Sequence, residues 1–68
     1  MNKEHVGRRI RSWMTDAGLN TDQTAAALGV SSGALKSWIY GQRSISFDTA
    51  EKICDLFGKP LDELACRE

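Results

Sequence analysis

Cysteine, proline and histidine are scarce in this 68-residue chain, and its net charge is zero. The two cysteines, Cys54 and Cys66, do not make the paired framework of four or six that staples small secreted domains, so a reducing compartment is expected, with a single bridge as the lesser alternative. The longest apolar run, Ala25-Ala26-Ala27-Leu28, is far too short for a signal peptide core or a bilayer span. A soluble, cytoplasmic protein with no membrane partner is the expectation. His5 is the single histidine and has no cysteine or carboxylate at ligand spacing, so no metal site is expected and His5 reads as an exposed first-turn residue. No nucleophile–base pair and no glycine-rich phosphate loop can be assembled, which leaves no catalytic residues and no cofactor. Apolar residues at 41% can fill one small core but not a core and a deep pocket, so neither an enzyme nor a small-molecule receptor is expected.

What the chain does have is punctuation. Val6, Ile10, Trp13 and Ala17 recur at helical spacing, with Met14 beside them, and Gly18 stands where such a helix stops. Asn20 followed by Gln23 has the form of a capping box opening an alanine-rich helix that ends at Gly29. Ser31 caps a third helix through Leu35, Trp38 and Ile39 to Gly41. Ser46 caps a fourth, whose Phe47, Ala50, Ile53, Cys54 and Phe57 form one apolar face up to Gly58. Pro60 opens a short last helix at a position where proline is tolerated, carrying Leu61 and Leu64. The reading is an all-α, compact five-helix bundle in a single domain, 1–68, with helices over about 3–17, 21–28, 31–40, 46–57 and 60–66.

The neutral total conceals a dipolar molecule. Residues 1–43 hold six basic and three acidic groups, and residues 44–68 hold three basic and six acidic ones. That suits an anionic partner on one side, without the strongly basic balance of a binder that works by charge alone. Arg8, Arg9 and Arg11 read more simply as a solvated helix face than as a phosphate patch.

The stretch TDQTAAALGVSSGALKSWIYG, Thr21 to Gly41, describes two short helices joined by a glycine turn. Ala25 is small where the second helix crosses, and Gly29 can take the left-handed backbone the turn demands. Leu35 and Trp38 face inward, and Ser32, Gly33, Lys36, Ser37 and Tyr40 form the opposite, outward face. With Ile10 and Trp13, Gly18-Leu19, Leu28-Gly29-Val30, Gly41 and the closing LFGKPLDEL, the chain resembles the lambda-repressor/Cro-like (XRE) helix-turn-helix DNA-binding domains from Val6 to Leu64.

The resemblance implies a recognition helix at Ser31–Tyr40, with Ser32, Gly33, Lys36 and Ser37 facing base edges in the major groove. It implies phosphate contacts from Asn20, Thr21 and Ser31 at the helix starts, and from Tyr40, Gln42 and Arg43 in the following loop. It places a dimer interface at Phe57, Pro60, Leu61 and Leu64, which would set two recognition helices about 34 Å apart on a palindromic operator. The chain departs from the family in three ways. Met14 and Ile39 stand where many relatives carry a buried Arg–Glu pair, a compensated swap. Thr24 replaces a usual leucine and thins that contact, and the recognition face lacks Arg, Gln and Asn. Trp13, Trp38 and Cys54 read as core, and Tyr40 either caps the core edge or offers its hydroxyl to phosphate.

The principal expectation is a dimeric, sequence-specific double-stranded DNA-binding transcriptional regulator, bacterial or phage-encoded, repressing by operator occupancy, with no effector-binding partner domain. The alternatives are an antitoxin-like or adaptor protein-interaction module on the same fold, and a DNA-binding fragment of a longer regulator.

Overall fold

The computed structural model describes residues 2–65 and shows five helices: α1 Lys3–Ala17, α2 Thr21–Leu28, α3 Ser32–Ile39, α4 Phe47–Phe57 and α5 Leu61–Leu64. No strand occurs among the described residues. The last helix, expected to run to 66, ends at Leu64 with Ala65 as its C-cap, and Cys66 lies outside the described residues.

Side chains that satisfy orphan backbone donors set the helix starts. Asn2 Oδ1 accepts from the Glu4 and His5 amides at 2.9 and 3.0 Å. Asn20 and Gln23 form a reciprocal capping box at 2.7 and 2.9 Å. Ser31 Oγ accepts from Ala34 N–H and Ser46 Oγ from Thr49 N–H, each at 3.1 Å. The two serines are the cap residues expected of them, and α3 and α4 begin one residue later than the spans 31–40 and 46–57, at Ser32 and Phe47. Pro60 also stands one place outside its helix: its ψ of 149° is extended, and Leu61 is the first helical residue. Gly18, Gly29 and Gly58 close α1, α2 and α4 in left-handed conformation. At Gly29 that conformation lets the chain reverse between α2 and α3 within three residues.

The core comprises Val6, Ile10, Trp13, Met14, Ala25, Leu28, Leu35, Ala50, Ile53, Cys54 and Leu64. Val30, Trp38, Ile39, Ile45, Phe57 and Leu61 pack around it, with the Phe57 ring tilted against Trp13 at 6.0 Å between centroids. Three expectations are corrected. Ala17 is exposed, because the stripe of α1 turns away from the core in its last turn. Phe47, the first residue of α4, is 58% exposed and stands outside the buried face formed by Ala50, Ile53 and Cys54. His5 is buried rather than exposed, with its Nε2 3.4 Å from the Glu63 carbonyl oxygen, where α5 folds back over the start of α1. Thr24 is fully buried, and its hydroxyl donates to the Asn20 carbonyl at 2.9 Å, which satisfies its polar atom inside the bundle.

One close approach has no counterpart in the sequence reading. At Gly7 a Cβ atom would stand 2.3 Å from the Ile39 carbonyl oxygen and 2.7 Å from that of Trp38. The end of α3 thus rests on the backbone of α1, and only glycine admits it there.

Candidate nucleic-acid interface

The site is built on α2 and α3, which Leu35, Ala25 and Leu28 hold from beneath. Ser32 Oγ donates to Asp22 Oδ1 at 2.6 Å and so ties the first turns of the two helices together. Asn20 is exposed and Thr21 half-exposed at the start of α2; Ser31 is exposed at the start of α3. Both helix starts thus offer amide donors and the positive end of a helix dipole on one side of the molecule.

Along α3, Gly33 and Lys36 are exposed, and Ser32 and Ser37 are half-buried. The Ser37 hydroxyl donates to the Ala34 carbonyl within its own helix at 2.6 Å. Nothing lies within 4 Å of the place a Gly33 side chain would occupy, so the middle of this face is open. Tyr40 is 63% exposed, which removes the core-edge reading and leaves its hydroxyl free to meet a partner.

The loop beyond α3 is fixed from the helix itself. The Ser37 carbonyl accepts from the Gln42 and Arg43 amides at 2.9 and 3.2 Å. Arg43 and Gln42 are exposed there. Arg43 lines one crevice with Lys3, Val6, Ser44 and Ile45, so the fold sets a second cation, from the N-terminal turn, beside the loop cation. Neither Lys3 nor Asp22 was singled out from the sequence. Lys3 is 40 positions from Arg43, and Asp22 reads as an ordinary first-turn acid until its bond to Ser32 is seen.

The arginines of α1 do not form one patch. Arg8 and Arg11 are exposed, whereas Arg9 turns inward with its Nε buried and without a hydrogen-bond partner. At the other end of the molecule Phe57 and Leu61 are half-buried and Pro60 is exposed. Leu64 is fully buried within its own chain, so it has no surface to give a second copy, and its place in the expected interface is corrected.

Burial, with Asp55, Glu51 and Glu63 nearby, pushes the Cys54 thiol above its ordinary range, as befits an inert core group. Among the described residues no cluster of His, Cys, Asp and Glu has metal-binding geometry, and no helix is long and apolar enough to cross a membrane.

The helix-turn-helix family model matches residues 10–64. Among solved structures, two crystal structures of ClgR, a clp gene regulator of Corynebacterium glutamicum, are similar at 25% sequence identity. One superposes with a TM-score of 0.88, covering 96% of this chain and 69% of that one; the other scores 0.85, covering 96% and 84%. No curated protein sequence matches the chain.

Proposed function

Because the chain belongs to the helix-turn-helix family of lambda-repressor/Cro-like (XRE) type, we propose that this DNA-binding regulator is a dimeric, sequence-specific repressor that occupies a palindromic operator. The observation that carries the reading is the face made by α3 and the start of α2, with unburied polar groups on a frame locked from beneath and cations at its edge. Ser32, Gly33, Lys36 and Ser37 take the base-facing positions. Asn20, Thr21, Ser31, Tyr40, Gln42 and Arg43 take the phosphate-facing ones, joined by Lys3. Pairing of two copies uses Phe57, Pro60 and Leu61, and repression follows from exclusion of polymerase by the bound dimer in the cytoplasm. The gene-regulator description of ClgR supports the same class of role.

The test is anisotropy of labelled duplex DNA at several salt concentrations. Neutralising about four to eight phosphates per dimer gives a log–log slope of about −0.9 for each. Arg43→Ala should weaken binding to every duplex alike and make the slope shallower by about 1 per monomer. A flat salt response from folded protein would refute DNA binding and favour the antitoxin-like or adaptor module.

A further inference from the structure

The hydroxyl protons on the recognition face are already committed, and their direction limits which bases the face can read. Ser32 Oγ lies 2.6 Å from a carboxylate oxygen of Asp22, and Ser37 Oγ lies 2.6 Å from the Ala34 carbonyl oxygen. Both partners are acceptors only, so in each contact the serine must donate its one proton. Each serine oxygen then presents lone pairs alone to whatever docks on α3. Ser31 differs: its Oγ accepts from the Ala34 amide at 3.1 Å and keeps its own proton for an external acceptor. Ser31 therefore suits a phosphate, and Ser32 and Ser37 do not, because a phosphate oxygen brings no proton to meet a lone pair.

In the major groove guanine (N7, O6) and thymine (O4) present acceptors alone, whereas adenine sets an N6 amine beside its N7 acceptor and cytosine presents its N4 amine. Only the exocyclic amines, adenine N6 and cytosine N4, donate. Every base pair has one such amine, so what an acceptor-only side chain reads is the strand on which the amine lies. Resting on the DNA-binding reading above, we infer that Ser32 and Ser37 each select an amino base, adenine or cytosine, over a keto base, guanine or thymine, on the strand they face. Asp22 is the positioning residue that makes Ser32 an acceptor. Lys36 supplies the opposite chemistry between them, a donor for guanine or thymine. Ser32 and Ser37 are five residues apart, about 7.5 Å along the helix axis and roughly two base-pair steps of DNA. The half-site thus reads amino at one base and amino again about two steps on, with a keto preference at Lys36.

The experiment uses the whole chain and sequences the duplexes it selects from a random pool, for the parent, Ser32→Ala, Ser37→Ala and Asp22→Ala. Circular dichroism first establishes that each variant is folded. The two serine variants identify which base each serine faces, by the preference that each abolishes. For the parent, both positions should carry adenine or cytosine. Replacing that adenine by 2-aminopurine, which moves the amine to the minor groove, or that cytosine by 2-pyrimidinone, should weaken binding by about five- to tenfold. Asp22→Ala frees the Ser32 proton to donate, so keto bases should appear at the Ser32 position while the Ser37 position keeps its preference. The same variant removes a negative charge near phosphate and should strengthen binding to all sequences alike, a separable change. Keto bases at both positions in the parent, or a Ser32 preference unmoved by Asp22→Ala, would overturn this inference and leave DNA binding standing. A folded parent that enriches nothing would overturn both.

Discussion

Gly7 offers the sharpest test of the packing, because two physical effects predict opposite outcomes there. It lies inside α1, where alanine is ordinarily about 0.8–1 kcal/mol better than glycine. Propensity alone therefore predicts that Gly7→Ala stabilises. The structure predicts the reverse. The new Cβ would stand 2.3, 2.7 and 2.9 Å from the Ile39 oxygen, the Trp38 oxygen and the Ile39 carbonyl carbon, closer than the 3.0 Å that real Cβ atoms keep. All three are backbone atoms, so no side chain can swing aside. The helices α1 and α3 would have to part by the better part of an ångström, loosening Val6, Ile10 and Leu35. Overpacking of this kind costs about 1–3 kcal/mol, and the rigid neighbours put Gly7→Ala at the upper end. After the propensity gain the net loss is about 2 kcal/mol, a fall in Tm of about 8–16 °C for a domain this small. Gly33→Ala is the internal control. With nothing within 4 Å it should gain about 0.5–1 kcal/mol from propensity alone. Thermal and urea melts followed by far-ultraviolet circular dichroism decide it. A Gly7→Ala protein as stable as the parent would refute the close α1–α3 contact.

The other expectations use the same melts or simple chemistry. Ile39 packs at the core edge and Met14 is buried, so Ile39→Glu should lose about 1–3 kcal/mol by placing a carboxylate among apolar neighbours; adding Met14→Arg should recover part of it, and additive losses would refute the compensated swap. Asn20→Ala removes the acceptor of the Gln23 N–H while leaving the residue-20 N–H to donate to Gln23 Oε1, and should cost about 1 kcal/mol, whereas an unchanged urea midpoint would mean that the side-chain half of the box contributes nothing. Cys54 titrates higher in the folded protein than in the unfolded one, so the folded state holds its proton longer; stability should decline as pH rises past the ordinary thiol range, and alkylation at Cys54, read by peptide mapping at pH 8, should be much slower in the native protein than in urea.

The helix ends were legible because their causes are local. Asn20 with Gln23, Ser31, Ser46 and the glycines at 18, 29 and 58 act on backbone groups within four residues, so the sequence carries their whole argument. What escaped depends on partners distant in the chain. His5 is buried because α5 returns over it, and Gly7 is required because α3 ends on α1. Phe47 obeys the apolar period of α4 yet is exposed, since periodicity identifies a face but not whether another element covers its first turn. At the recognition face, the residue types were readable. The direction of their protons was not, because it needs the Asp22–Ser32 contact across the turn.

Selection from a random duplex pool at moderate salt tests the central claim most directly. A regulator that binds as a two-fold dimer through α3 should enrich an inverted repeat whose half-sites lie about one helical turn, roughly 10 base pairs, apart. Failure of folded protein to enrich any sequence would contradict it.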